Sequence, residues 1–510
     1  MTTTDDDNAT SSTTSTTDFS PPGKGEWRSM ADHFPRACTA EYRRLLATAM
    51  EAGEAEHFAA YGMPARTLRP GFVHGHVYLG AVPLVGKAAN ALPPAPILKL
   101  AGRLHPAFRA RERAARRALA EGLAVTEAER WWHEKRDRWR ERNAALEAVE
   151  PGALDDATLA AHLTDVRTLC DDGYREHFRL HGCDLLPTAL LLVFAADRSI
   201  AAADVLTQLV GHSPASLGEE APPPWRLVTG YDLDSLAAAE LPPVPQRPKR
   251  EPVAVPDEQV LLDRVDAAER DELARLLADA RATYGVRDDN GLLTAAWPVG
   301  LLRRAMLEAG RRVLGDADLG IEATVDELVA RLGGAPSPSA ATIATRAAER
   351  RDDSALVPPP LLGPDLGLPI DALPRGMATV ARALVALRDL STSEAGRRAP
   401  LRGDGIGTGR ATGRAVVADD PSEALTRVEP GDVLVARGTA PAWNAVLGIV
   451  SAVVVEEGGP LGHAAIIARE LAIPAVVGAA DAVRLVPDGA TVEVDATTGT
   501  IRVLAEPTDP

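Results

Sequence analysis

The chain has 510 residues, of which 45% are hydrophobic, and its formal net charge at pH 7 is −17. This length exceeds one ordinary domain and predicts roughly two to four domains, with enough apolar residues to build their cores. The acidic balance argues against nucleic acid as a partner, because such binding relies on the neutralisation of phosphates. No run approaches the roughly 20 apolar residues of a membrane-spanning helix, so we expect no membrane association.

The N-terminal segment, MTTTDDDNATSSTTSTTDF, is acidic and rich in hydroxyl groups. A secretory signal would be basic and then apolar, so none is predicted, and the composition indicates a disordered tail over residues 1–25. The three cysteines, Cys38, Cys170 and Cys183, have no CxxC spacing. This pattern fits a reducing compartment and argues against a cysteine-built metal site, so we expect a cytoplasmic protein with no metal centre of its own.

Residues 26–395 are predicted to be mostly helical, because apolar residues recur at spacings of three and four. The segment 68–82 is an exception that indicates a short strand or loop insertion. Proline-rich linkers at 241–256 and 333–339 interrupt the helical pattern. The helices predicted in the second half of this region are 257–284, 298–314 (opened by Pro298), a short one between 339 and 358, and 374–390.

From about Leu401 the pattern changes to short β-rich runs that enclose one helix, 463–472. Residues 401–506 therefore predict a compact β/α module, and the fold class is α + α/β, with a large helical region first. The strands predicted in this module are 411–418, 432–436, 452–457, 475–478, 491–496 and 500–504.

The segment 453–478, VVVEEGGPLGHAAIIARELAIPAVVG, reads as strand, glycine turn, helix, proline stop and strand. Gly458 and Gly459 allow a bulky group to approach the backbone. His463 follows in the first helical turn, where unpaired N–H groups and the helix dipole favour an anion and disfavour an imidazolium. A neutral imidazole keeps a lone pair for attack on phosphorus. A lone histidine or a glycine pair is common, so only the combination is specific.

Together with PGDVLVARGTAPAW at 430–443, this segment resembles the mobile, or phosphohistidine, domain of the PEP-utilising enzymes, over residues 405–504. The resemblance implies a swivelling domain in which His463 carries a phosphoryl group. It also implies a phosphate site around Gly458, Gly459, Gly462 and Ala464.

This chain departs from the usual Thr-Ser before the histidine, since Leu461 and Gly462 stand there. Thr439 is a candidate for supplying the missing hydroxyl, and a threonine that only satisfies a turn is an equal alternative.

Four pieces of the helical region carry a second resemblance: DHFPRACTAEY (32–42), GFVHGHVYLG (71–80), LVGHSPAS (209–216) and the segment 284–314. In these patches the region is similar to the substrate-binding region of rifampin phosphotransferase-like proteins, which implies a binding site for a small-molecule acceptor. The resemblance places Arg287, Asp288 and Asp289, interpreted as a charged turn, near that site, although solvated loop charges are the favoured interpretation. His74 and His76 are further candidates, because they flank Gly75 in an irregular segment. His177 and His181, near Asp184 in REHFRLHGCD, have a spacing that can bind metal, but an ordinary helix face is favoured.

The sequence contains no GxGxxG or GxxxxGK[ST] phosphate loop. We therefore expect a phosphotransfer subunit whose histidine is charged by a separate ATP-grasp protein using ATP and Mg²⁺, with no cofactor bound by this chain itself. Two alternatives remain: a non-catalytic binding or regulatory protein that retains the fold, and a degenerate enzyme that has lost its nucleotide domain.

Overall fold

The computed structural model describes residues 19–31, 33–34, 36–212, 255–391, 400–439 and 443–507. It has a large helical region followed by a compact β/α domain, which confirms the predicted fold class. Most of the predicted N-terminal tail and nearly all of the linker at 241–256 lie outside the described residues. The remainder of the predicted tail takes a defined position, since the ring of Phe19 lies 5.1 Å from that of His74.

The helical region is built from short and medium helices with several wide or tight turns between them. Its α-helices are Ala40–Leu45, Glu51–Tyr61, Ala95–Leu104, Pro106–Ala120, Leu123–Arg130, Arg136–Glu147, Asp156–Arg179, His181–Ala196, Ala202–Thr207, Glu258–Leu262, Arg270–Asn290, Trp297–Val313, Ala317–Glu322, Val325–Leu332, Ala340–Ser354 and Arg375–Ser391. The π-helical turns are Leu46–Met50, Trp131–Lys135 and Gly291–Ala296, and the 3₁₀ turns are Pro151–Ala153, Ala267–Glu269 and Ile370–Ala372.

A small antiparallel sheet accompanies these helices. Its strands, in spatial order, are Ala65–Val73, His76–Pro83, Trp27–Ser29 and Leu361–Leu362. The first two form a hairpin around His74 and Gly75, both at positive φ. The strand predicted within 68–82 is thus confirmed as a hairpin. The other two strands, of three and two residues, escaped prediction because they are too short for a pattern.

The helices around residue 290 differ from the sequence prediction. The predicted helix 257–284 is broken after Leu262, and its second part, Arg270–Asn290, continues through the π-helical turn into Trp297–Val313. Proline has no N–H to donate and its ring crowds the carbonyl four residues earlier, so the wide turn before Pro298 accommodates it without ending the helix. Arg287 and Asp288 consequently lie on a helix, and their interpretation as a charged turn is wrong.

The helical pair Asp156–Ala196 is long and apolar enough to span a membrane by length and composition alone, but 72% of its most apolar window is buried inside the protein. The core of the region packs around it, with Leu163, Val166 and Cys170 fully buried. Burial of this kind is expected of a core helix in a globular protein.

The C-terminal domain contains a seven-stranded mixed sheet. In spatial order its strands are Thr500–Ala505, Thr491–Asp495, Arg410–Val417, Val433–Ala436, Ala452–Val455, Ala475–Val477 and Asp404–Ile406, the central four being parallel. Its helices are Pro421–Arg427, Asn444–Leu447, His463–Glu470 and Ala482–Leu485. The six predicted strands and the helix that begins at His463 are confirmed, whereas the first strand and the three other helices were not predicted.

The C-terminal domain packs against the helical region beside His463. Leu461 and Ile466 are buried in one apolar cluster with Leu191, Leu277 and Tyr284 of the helical region. The N–H of Leu461 also donates to the carbonyl oxygen of Leu390 at 3.2 Å. The loop before the histidine is therefore part of the contact between the two regions.

We expect Gly173→Ala to lower the thermal stability. A methyl group there would lie 2.1 Å from the carbonyl oxygen of Thr294, so the helix Asp156–Arg179 would have to move away from the π-helical turn. Overpacking of this kind costs about 1–3 kcal/mol. Calorimetry should show a lower Tm, whereas the control Gly333→Ala, whose nearest contact would be 3.5 Å away, should be nearly neutral. Equal Tm values for the two variants would contradict this account of the packing.

Candidate phosphotransfer site

The loop that carries His463 is a tight turn between a buried strand and a helix. Gly458 has a φ of +97°, a conformation that side chains rarely adopt. The N–H of Gly462 donates to the carbonyl oxygen of Gly459 at 2.8 Å, and Gly462 then caps the helix without a side-chain hydrogen bond. The N–H of Gly462, which was predicted to bind phosphate, is therefore already engaged in the turn. The N–H groups of the first helical turn, including that of Ala464, are the donors that remain for an anion.

Of two charged residues at the other end of this helix, one holds the loop and the other contacts the helical region. Arg469 donates to the carbonyl oxygen of Pro460 at 2.6 Å, and a carboxylate oxygen of Glu470 accepts the N–H of Gly211 at 3.1 Å. Burial lowers the pKa of Arg469, with Tyr284 and Glu470 acting in the opposite direction. Sequence reasoning did not single out these two residues, although both belong to the ARE triplet within the quoted motif.

The ring of His463 is fixed through one nitrogen only. Its Nδ1 lies 3.0 Å from the hydroxyl oxygen of Thr439, whereas its Nε2 is buried and has no hydrogen-bond partner among the described residues. When Nδ1 carries the ring proton it donates to Thr439, and Nε2 then presents its lone pair. The structure thus brings Thr439 to the histidine.

Burial is the largest cause that lowers the pKa of His463 to about 3, and Arg287 and His33 contribute in the same direction. The sequence argument expected a lowered pKa from the helix dipole. The direction agrees, but the largest cause is removal of the ring from water. The imidazole is therefore neutral at pH 7, which keeps its lone pair available.

Arg287 is the cation that the helical region places beside the histidine. Its side chain is half-buried, and it has no ion-pair or hydrogen-bond partner within the part of the chain that the structure describes. An unpaired guanidinium can bind two oxygens of a phosphoryl group at once. Asp288, the next residue, is also half-buried on the same helix.

A cluster of carboxylates and imidazoles lies next to Arg287. Two oxygens of Glu54 contact Nδ1 of His57 at 3.2 Å and Nδ1 of His181 at 3.4 Å. Burial raises the pKa of Glu54, but the hydrogen bonds with His181 and His57 outweigh it and bring the pKa to about 2. The same carboxylate raises the pKa of His181 against the effect of burial.

His177 and His181 lie close together in this cluster, at a break between two helices. The helix ends at Arg179, a new one begins at His181, and the two rings are 5.0 Å apart in the cluster. Burial lowers the pKa of His177 to about 3, with His181 as the next cause. Within the described residues, no three side chains are arranged to hold a metal ion.

The structure does not bring His74 and His76 to this site. Nε2 of His76 lies 2.9 Å from the carbonyl oxygen of Asp353, and Nδ1 of His74 lies 3.4 Å from the carboxylate of the same residue. Both rings serve to pack the hairpin against the end of the helix Ala340–Ser354. The flanking glycine indicated a turn correctly, but it carried no information about the position of that turn relative to His463.

A groove of about 420 Å³ lies elsewhere, on the other side of the helix His181–Ala196, lined by residues that include Tyr61, Leu190, Arg275 and Thr379. None of His463, Arg287 and Asp184 lines it. A ligand in this groove would not face His463. The polar cluster, and not the groove, is therefore the candidate site of phosphoryl transfer.

Comparison with known proteins agrees with the chemistry of the C-terminal domain. Residues 428–499 match the family described as the PEP-utilising enzyme mobile domain. A phosphoenolpyruvate synthase of Aeropyrum pernix is 46% identical over 101 residues, which cover 20% of this chain and 12% of that protein. A phosphoenolpyruvate synthase of Escherichia coli is 47% identical over 100 residues, covering 18% and 12%.

A longer similarity extends beyond this domain. An uncharacterized protein of Mycobacterium tuberculosis is 34% identical over 223 residues, which cover 43% of this chain and 23% of that protein. This is more than the whole C-terminal domain contains, so the match reaches into the helical region. Each of these similarities spans less than a quarter of the relative's own length. The C-terminal domain of this chain belongs to the mobile domain family of the PEP-utilising enzymes.

Proposed function

We propose that this chain is a phosphotransfer subunit in which Nε2 of His463 takes up a phosphoryl group and passes it to a small-molecule acceptor held by the helical region. One observation carries the proposal: among the residues that the structure describes, Nε2 is buried without a hydrogen-bond partner, in a neutral ring, near the cation Arg287, which has no ion-pair partner there either. A nitrogen enclosed for structural reasons alone would be expected to have a partner.

The chemistry requires little from the protein beyond positioning. The lone pair of Nε2 forms a bond to phosphorus while the bond from phosphorus to the donor's leaving oxygen breaks, and Nδ1 keeps its proton and its contact with Thr439. The phosphoryl oxygens then face Arg287, whose charge stabilises them in transfer. In the second step an oxygen of the acceptor replaces Nε2 on phosphorus.

The donor is proposed to be a separate ATP-grasp protein that uses ATP and Mg²⁺ in the cytoplasm. Nε2 is enclosed by the helical region, so a donor reaches it only after the C-terminal domain has moved away. Such a movement agrees with the name of the mobile domain family. The docked arrangement then corresponds to transfer to the acceptor.

The first test is phosphorylation of the histidine itself. The full chain is incubated with ATP, Mg²⁺ and a candidate ATP-grasp protein, and in parallel with phosphoramidate, a chemical donor that needs no partner. Peptide mass spectrometry at alkaline pH should locate an acid-labile phosphoryl group on His463, and His463→Ala should abolish it. The variant His133→Ala, which changes an exposed histidine, is the matched control and should be labelled at position 463 like the wild type. Absence of the label from wild-type His463 with both donors would favour the non-catalytic alternative.

Thr439→Val tests the role of the hydroxyl. Valine keeps the shape but cannot accept the proton of Nδ1, so the productive tautomer loses a hydrogen bond worth about 1 kcal/mol, and phosphorylation of His463 should slow by roughly fivefold to tenfold. Thr439→Ser retains the oxygen and should restore the rate. Similar rates for the valine and serine variants would show that Thr439 is only a turn residue.

The lowered pKa of His463 predicts a specific dependence of stability on pH. The folded ring stays neutral down to about pH 3, whereas the unfolded ring takes up a proton near pH 6.5, so acidification favours the unfolded state. His463→Gln removes this contribution. Relative to the wild type, the variant should gain about 1–2 kcal/mol between pH 7.5 and pH 5, because one pKa unit is worth about 1.4 kcal/mol. Calorimetric scans of both proteins at the two pH values measure the difference, and a constant difference would contradict the neutral ring.

A further inference from the structure

Asp184 is a buried carboxylate that lacks the partners such a group normally has. It is 3% exposed, and neither carboxylate oxygen has a hydrogen-bond partner among the described residues. An ionised carboxylate is costly to bury unless it is paired and hydrogen-bonded. Its environment therefore indicates either a ligand that is absent here or a function that requires an unsatisfied oxygen.

The charged groups around Asp184 connect it to the histidine. Its carboxylate faces His181 on its own helix, Arg287 and Asp288 on the helix Arg270–Asn290, and His57 on the helix Glu51–Tyr61. Arg287 is also the charge with the largest effect on the ring of His463. One guanidinium thus acts electrostatically on both the nucleophile and the buried carboxylate.

Other polar atoms near Asp184 are unsatisfied as well. The hydroxyl of Thr188, one turn further along the same helix, and Nε2 of His57 are both buried without a hydrogen-bond partner in the described residues. With the two oxygens of Asp184 they make a group of four such atoms, and the charge of Arg287 acts both on Asp184 and on His463, whose Nε2 is unsatisfied as well. Isolated exceptions occur in folded proteins, but several together indicate a place that a polar ligand completes.

Burial raises the pKa of Asp184, although His181 and Arg287 act in the opposite direction. A carboxylate with a raised pKa binds a proton more tightly than an ordinary one, which is the property of a general base.

We propose that the acceptor is a neutral compound with a hydroxyl group and that Asp184 removes the proton of this hydroxyl during transfer. This inference rests on the proposed function, and it adds the class of substrate and the residue that activates it. The O–H bond breaks, its proton goes to Asp184, and the oxygen forms a bond to phosphorus. The bond from phosphorus to Nε2 breaks, its electron pair returns to the ring of His463, and Asp184 later releases the proton to solvent.

The charges of the site favour this class over two others. An acceptor that is itself an anion would be repelled by Asp184 and Asp288. A protonated amine would pair with Asp184 but has no lone pair for attack. A neutral hydroxyl offers a hydrogen-bond donor to the unsatisfied carboxylate of Asp184, and Arg287 remains available to bind the phosphoryl oxygens.

The experiment separates charging from transfer. The full chain is phosphorylated with phosphoramidate, phosphohistidine at position 463 is quantified, and the protein is then mixed with neutral hydroxyl compounds (glycerol and phenol) or with the anion pyruvate. Phosphate esters are followed by ³¹P NMR. The wild type should form an ester with at least one neutral compound. Asp184→Asn should carry the same amount of phosphohistidine but transfer it about 10²–10⁴-fold more slowly. The control Asp165→Asn, an exposed residue, should behave like the wild type.

Each outcome is decisive. Absence of phosphohistidine in the wild type would overturn the proposed function and this inference together. Phosphohistidine that forms normally but is transferred equally fast by Asp184→Asn, or only to pyruvate, would overturn the inference alone. Asp184→Asn should also melt at a temperature no lower than the wild type, because it removes an unsatisfied buried charge, and a clear fall in Tm would show instead that Asp184 serves the fold.

Discussion

The candidate site depends on one physical constraint, which is the enclosure of the ring nitrogen Nε2 of His463. Nε2 of His463 is removed from water and has no hydrogen-bond partner in the described part of the chain, and this burial keeps the imidazole neutral and its lone pair unoccupied. In the proposed function, exclusion of water would also protect a phosphoryl group on that nitrogen from hydrolysis. The same enclosure would keep a donor from approaching. The proposed charging and transfer therefore require different surroundings, and a domain that docks and leaves again would satisfy both.

The contact surface explains why this chain has Leu461 and Gly462 before the histidine. Leu461 is 2% exposed and packs into the apolar cluster of the helical region, which a threonine would do less well. Gly462 has a φ of −66°, but a side chain there would bring its Cβ to 3.2 Å from the carbonyl oxygen of Gly459, so glycine keeps the turn relaxed. The hydroxyl comes from Thr439 on a neighbouring loop. The departure from the usual motif thus strengthens docking while another residue holds the ring.

The sequence predicted what depends on local pattern. The strands around Val433 and Val453 and the helix that begins at His463 follow from β-branched runs, glycines and helical spacing. The strand Asp404–Ile406 was missed because three residues carry no readable period. At the site across the interface, only the resemblance pointed to Arg287. Its meeting with Asp184 and the neighbouring Glu54 arises through tertiary packing, and no spacing in the sequence links the three residues. His74 and His76 illustrate the converse, since a local pattern that suggested a site proved to be a hairpin turn.

The arrangement of charges gives the proposed transfer an internal order. A phosphoryl group on His463 would bring negative charge towards Arg287, which attracts it, and towards Asp184, which does not. Negative charge nearby raises the proton affinity of a carboxylate, so Asp184 would become a stronger base at the time when the histidine is charged. Once the phosphoryl group has left on the acceptor, this effect disappears and the proton is released more easily. In the proposed transfer, Arg287 would partly screen the phosphoryl group on His463 and the carboxylate of Asp184 from each other. One guanidinium would thus hold the phosphoryl group while Asp184 keeps its ability to accept a proton. The unsatisfied carboxylate, which is a cost to the fold, is in this view the feature that makes the docked state reactive.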